Sequence, residues 1–197
     1  MLDYAQMQYQ QHISKFLDVN VIPYVNKFEK EGSFDRELIF KMGQEGFLGA
    51  NIPHKYGGSS LDMIQIGILN EQFARASSSV RSILTVHGML GLAILRWGNE
   101  IQRNKWLPKL SSGEIVGSFA LAEQEAGSDA GNIQMEAVKK DNHYILNGKK
   151  IWVTMGEIAD LYLVFAKHNG NITAFLVEKN SSVLVESIDG LLGVRAS

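Results

Sequence analysis

The chain has 197 residues, 45% hydrophobic and 20% charged, enough for one large domain or two small ones around a real core. Its 19 basic and 21 acidic residues give a net charge of −2, which excludes a whole-chain attraction to nucleic acid or to an anionic membrane. The absence of cysteine excludes disulfides, thiolate metal sites and a cysteine nucleophile.

The N-terminal stretch Met1-Leu-Asp-Tyr-Ala-Gln-Met7 has no basic head and no apolar run, unlike a secretion signal. No apolar stretch approaches the roughly 20 residues that span a bilayer. The expectation is a soluble cytoplasmic protein. Apolar groups at helical spacing (Tyr4, Met7, Ile13, Phe16, Leu17, Val21, Tyr24) predict a helix from residue 3 to about 30, kinked or divided at Pro23. Gly32-Ser33 breaks it, and Ser33 is the expected cap of a second helix through Asp35, Leu38, Ile39 and Met42. Pro53 and Gly57-Gly58 make residues 51–60 a loop. A third helix follows to about Ala76, with a wide apolar stripe that includes Ile64, Ile68, Leu69 and Phe73. A fourth spans Arg81 to Trp97 and is closed by Gly98. Asn99 and Gln102 form a capping pair for a short helix through Trp106, and Pro108 and Gly113 end the helical half.

From Ile115 the periodicity changes. Residues 115–121 read as a buried strand and 134–139 as a strand with one wet face. Asn147-Gly148 is a hairpin signal joining 144–146 to 151–154, because both residues tolerate positive φ. Residues 161–166 and 172–177 pair antiparallel across His168-Asn-Gly-Asn171, and Val183-Leu-Val185 is a last short strand. The fold class is therefore α+β: a helical bundle over residues 1–113, then an incomplete antiparallel β-barrel-like domain over 114–197.

Two stretches stand out at the seam between these halves: Phe119-Ala-Leu-Ala-Glu-Gln-Glu-Ala-Gly-Ser-Asp129 and Asn147-Gly-Lys-Lys-Ile-Trp-Val-Thr154. Seams of this kind often hold ligand pockets, and Gly127-Ser128 can turn backbone N–H groups and a hydroxyl toward one. Plainer readings exist for each residue. Trp152 suits a core aromatic, Ser128-Asp129 a turn cap, Glu123 and Glu125 solvated loop carboxylates, and Lys149-Lys150 a solvated strand edge. His12, His54, His143 and His168 lack metal-ligand spacing, so no metal is expected.

Five segments in this order resemble the acyl-CoA dehydrogenase family over essentially the whole length. They are Ile52-Pro-His-Lys-Tyr-Gly-Gly58, the run Gly98 to Leu110, Glu123 with Ala126-Gly-Ser-Asp129, Leu146-Asn-Gly-Lys149 with Trp152-Val-Thr154, and Leu192-Gly-Val-Arg-Ala-Ser197. The resemblance implies an N-terminal helical domain and most of a middle β domain that cradles FAD. Phe119, Ala120, Leu121, Ala122, Gly127 and Ser128 would line one side of the flavin, with backbone groups of Leu121 and Ala122 at its polar edge. Trp152, Val153 and Thr154 would close the ring face. Ser128 would also touch the substrate's thioester arm, and His87 would either line the acyl pocket or serve as a core histidine. The implied reaction is α,β-dehydrogenation of an acyl thioester, carried on coenzyme A or on an acyl-carrier protein. Its proton acceptor is a carboxylate of a C-terminal helical domain, which is not in this sequence. An electron-transferring flavoprotein as acceptor and a homo-oligomer complete the expectation. Alternatives are a flavin monooxygenase of the same fold group and a catalytically silent binding or assembly module. Ala122 stands where the family usually has threonine, and the lost hydroxyl contact is worth on the order of 1 kcal/mol. Gln124-Glu125 replace its usual Pro-Gly.

Overall fold

The fold was obtained as a computed structural model that describes residues 2–197. Helix α1 (Tyr4–Asn20) opens on a capping box in which the Asp3 carboxylate accepts the Gln6 N–H and the Gln6 side chain returns the bond. Pro23 lies in the 3₁₀ turn Ile22–Tyr24 that divides α1 from α2 (Val25–Glu31), where its missing N–H costs nothing. Asp35, rather than the expected Ser33, takes the N-cap position of α3 (Arg36–Gln44). A second capping box, Asp62 with Gln65, starts α4 (Met63–Ala76). The next helix, α5 (Ser78–Trp97), begins earlier than expected because the Ser77 hydroxyl accepts the Val80 N–H.

Helix α6 (Glu100–Ser112) has the expected Asn99–Gln102 box but does not end near Trp106; it runs through Pro108 to Gly113, which closes it at φ +74. Buried Leu107 and Leu110 on either side of Pro108 anchor the turn that proline weakens. Among the described residues α5 is the one helix long and apolar enough to cross a membrane by length and composition, which corrects the expectation that no such stretch exists. It packs instead within the protein, burying Val80, Ile83, Leu90 and Ile94.

Phe16, Phe47 and Phe73 form the centre of the helical core. Phe47 meets each of the others edge-on, at centroid distances of 5.2 and 5.5 Å. Ile13, Ile39, Met42, Leu69 and Ile83 surround them.

Strands β1 (Gly117–Ala120), β2 (Glu136–Lys140), β3 (His143–Asn147), β4 (Leu161–His168) and β5 (Asn171–Glu178) form one sheet in the order β1-β4-β2-β3, with β5 also paired to β4. The sheet is mixed, which corrects the antiparallel expectation: β1 and β2 both run parallel to β4. Parallel neighbours need a long crossover, and residues 121–160 provide it between β1 and β4. Alternation along β4 serves two cores. Leu161 and Leu163 pack with Leu90, Ile94, Leu107 and Leu110 of α5 and α6, while Tyr162, Val164 and Ala166 pack with Ala120, Met135 and Ala137.

The β4–β5 hairpin turns at Asn169-Gly170, both at positive φ, as its sequence predicts. The other hairpin is not where it was expected. β3 pairs back with β2 across Asp141-Asn142, and residues 151–154 form no strand. Gly148 is needed for a close approach instead, since a Cβ there would sit 3.0 Å from the Met135 side chain. Residues 183–185 form no strand either, and Leu184 lies exposed. Arg36 of α3 joins the halves through Asp160, whose carboxylate also accepts the Val116 N–H at 2.8 Å.

Candidate functional site

The two seam stretches are laid side by side by a short series of bonds. The buried Ser118 hydroxyl donates to the Thr154 carbonyl at 2.5 Å. The Ala122 carbonyl accepts the Ile151 N–H, and the Leu121 carbonyl accepts the Lys150 ammonium, both at 2.9 Å. A carbonyl and the N–H that follows it point to opposite sides of one rigid plane. The Ala122 N–H therefore faces away from Lys150. Among the described residues the N–H groups of both Leu121 and Ala122 have no intramolecular acceptor, although both residues are half-buried. A donor in that position must be met by water or by a ligand.

Beyond them the chain folds into a tight bridge, with Glu123 and Ala126 exchanging backbone bonds at 3.0 and 3.1 Å. This turn exposes Gly127, Ser128 and Asp129, and no atom lies within 4 Å of where a Gly127 Cβ would be. On the second stretch Trp152 is 62% exposed and held at φ +56, and Met155 follows at φ +60. Trp152 is therefore not a core aromatic. Such backbone conformations are costly for bulky residues and collect at functional sites, where surrounding bonds impose them. Val153 is half-buried, and the Thr154 hydroxyl, unlike its carbonyl, has no partner among the described residues. Phe119 is half-buried against Phe165, with centroids 5.1 Å apart, and Ala120 is buried in the sheet.

Two expectations are corrected here, and His87 takes the second of its two expected roles. Glu123 is not a solvated loop carboxylate. It is 8% exposed, accepts the Gln134 and Met135 N–H groups, and pairs with Lys150 at 2.7 Å. Desolvation pushes this carboxyl up, but the Lys150 ammonium and the two N–H donors outweigh it and hold the group below its ordinary value. Lys150 is likewise no solvated strand edge, with its side chain 6% exposed; only Lys149 is solvated, paired with Glu186 on the surface outside any strand. Finally, His87 is a locked core residue. Its Nδ1 accepts the Gly117 N–H at 3.1 Å, its Nε2–H donates to the Leu110 carbonyl at 3.0 Å, and burial lowers its pKa to about 4. Neither nitrogen is left for a ligand, so His87 offers an acyl group nothing but a role in shaping β1. Ser118, Glu123 and Lys150 were missed as parts of the site. The last two sit inside the motif stretches, but nothing local marks them as partners.

Residues 4–114 match the acyl-CoA dehydrogenase N-terminal domain, and residues 118–197 match the acyl-CoA dehydrogenase middle domain. The chain belongs to the acyl-CoA dehydrogenase family. It is 38% identical over 182 residues to an acyl-CoA dehydrogenase of Bacillus subtilis, covering 89% of this chain and 48% of that one. The crystal structure of a glutaryl-CoA dehydrogenase from Mycobacterium smegmatis in complex with FADH2 superposes with a TM-score of 0.94 at 29% identity, over 99% of this chain and 51% of that one. A prolyl acyl carrier protein oxidase superposes with a TM-score of 0.88 at 29% identity, over 99% and 54%. The chain thus spans about half the length of the acyl-CoA dehydrogenase relatives it matches.

Proposed function

We propose that this chain forms the flavin- and thioester-holding portion of an FAD-dependent dehydrogenase that introduces an α,β double bond into an acyl thioester. One observation carries this reading: the unpaired Leu121 and Ala122 N–H groups lie on a segment bonded directly to the one that presents Trp152 and Thr154. These residues fit a flavin. Fixed N–H donors suit the electron-rich edge of the ring, the exposed indole of Trp152 suits its face, and the Thr154 hydroxyl adds a polar contact. Bound FAD would supply the two-electron acceptor. The protein's share is to aim dipoles and exclude water, and the exposed Ser128 hydroxyl would meet the thioester arm.

Glu123 is not proposed as the proton acceptor, because a carboxylate committed to two N–H groups and an ammonium has no basicity to spare. That role is proposed for a carboxylate outside these 197 residues. Coenzyme A and a carrier protein's pantetheine share the thioester end, and both remain within the proposal. Transfer of electrons to an electron-transferring flavoprotein and a homo-oligomeric assembly follow as further parts of it.

The test is a visible absorption spectrum of the purified chain with and without added FAD. A flavin band that is retained on desalting and released as FAD on denaturation supports the reading. No uptake at high FAD concentration overturns it for this chain and favours the silent-module alternative. A second expected outcome separates backbone strain from cofactor contact at Trp152. Trp152→Ala and Trp152→Gly should weaken FAD binding alike, since both remove the ring. The glycine variant should be the more stable by about 1 kcal/mol in urea unfolding, because glycine alone accepts φ +56 without cost. Equal stability of the two would remove strain from the account.

A further inference from the structure

Of the ion pairs among the described residues, Lys150–Glu123 alone has both side chains buried, at 6% and 10% exposure. A pair in that position gives up two hydration shells, so its presence is weak support for stability and raises the question of what else it does. Its bonds answer in part. Glu123 Oε1 is shared between the Met135 N–H and Lys150 Nζ, and Oε2 takes the Gln134 N–H. Lys150 Nζ then has its second acceptor in the Leu121 carbonyl. Three separate segments (121–123, 134–135 and 150) are pinned to one point, and that point lies directly behind the peptide plane whose other side carries the free Ala122 N–H.

We propose that Lys150 and Glu123 are positioning residues for the flavin: Lys150 aims the Ala122 N–H by holding the carbonyl on the far side of the same peptide plane, and Glu123 fixes Lys150 and cancels its charge. This rests on the proposed cofactor site. A hydrocarbon pair of the same volume would fill the space but leave the plane free to rotate. A lone ammonium would fix the plane but leave a positive charge buried beside the cofactor. Aiming the donor without leaving a buried charge needs both residues.

The two functions separate by mutation. Lys150→Met removes the aim and leaves Glu123 as an uncompensated buried anion. FAD affinity should fall about tenfold, the size of one charge-assisted hydrogen bond. The midpoint potential of the bound flavin should move to more negative values, since a nearby anion opposes the added electrons. Glu123→Gln keeps the Lys150–Leu121 bond and leaves an uncompensated cation, so the potential should move the opposite way with a smaller loss of affinity. The double variant buries no unpaired charge and keeps the test available should either single variant fail to fold. Its potential should return toward that of the unaltered chain while the loss of affinity persists.

A merely structural role predicts something else: both single variants losing affinity together, with potentials moving in one direction or not at all. That result overturns the proposal. A readout without flavin covers the remaining case. Backbone ¹⁵N relaxation should find the Ala122 amide ordered in the unaltered chain and in Lys150→Arg, and mobile in Lys150→Met and in the double variant. If the unaltered chain takes up no FAD, the cofactor reading fails, and an Ala122 amide equally ordered in all variants sinks the positioning role separately.

Discussion

Acidification from pH 6.5 to 4.5 is expected to cost the folded chain roughly 2 kcal/mol through His87 alone. Burial holds its folded-state pKa at about 4, against an ordinary value of 6.5. Well above pH 6.5 neither the folded nor the unfolded chain protonates this ring, so His87 contributes no pH dependence there. Between 6.5 and about 4 the unfolded chain binds the proton and the folded chain does not, which draws the equilibrium toward unfolding. Below the folded pKa both states are protonated and the loss stops growing. The window lies above that of Glu123, whose stabilising contribution, from a depressed pKa, is lost only as pH falls below the ordinary carboxylate range. Urea midpoints measured across this range at constant ionic strength give the slope. His87→Leu should be less stable at pH 7, because the Gly117 N–H and the Leu110 carbonyl lose their partner, and it should be flat between pH 6.5 and 4.5. A slope in the variant equal to that of the unaltered chain would assign the effect to other groups. Since Gly117 opens β1, which leads directly into residues 119–122, acid should loosen the site before it unfolds the helical core.

The largest expected loss from one truncation is at Phe73. The side chain is fully buried and packs against Phe16 and Phe47. Phe73→Ala removes a ring from the meeting point of α1, α4 and the segment after α3, and it should destabilise the chain by about 4 kcal/mol. Phe73→Leu keeps most of the volume and should cost about 1.5 kcal/mol. The measurement is the denaturation midpoint with an unchanged slope. A loss below 1 kcal/mol for the alanine variant would mean that the three-ring centre collapses to fill the space.

What could be read from residues alone divides by the range of the interactions involved. Asn99 and Gln102 cap α6 through bonds within one turn, so their spacing sufficed. Asn169-Gly170 was legible for the same reason. Asn147-Gly148 misled because its local turn preference was overruled: β3 found its partner in β2, and Gly148 was required where Met135 approaches. Pro108 stops a helix in isolation but not one held on both sides by Leu107 and Leu110. The motif stretches Phe119–Asp129 and Asn147–Thr154, well separated in sequence, are bonded side by side in the fold. Nothing in either stretch tells that Glu123 and Lys150 leave the surface to pair across 27 positions of chain. A lysine beside a lysine and a glutamate in a polar loop carry no local mark of burial. His87 was ambiguous for a related reason: its partners, Leu110 and Gly117, offer only backbone atoms, which every residue has.

The parallel pairing of β1 with β4 bears on the order in which this molecule assembles. Every residue of the candidate site from Leu121 to Thr154 lies within the crossover that this pairing closes. Closing a loop of that length spends chain entropy before any contact inside it is gained. Helices α1, α4, α5 and α6, capped locally, need no such closure to form. The site is therefore expected to form after the individual helices, and a ligand gripped by both of its segments would act as a clasp on the finished crossover, slowing its reopening.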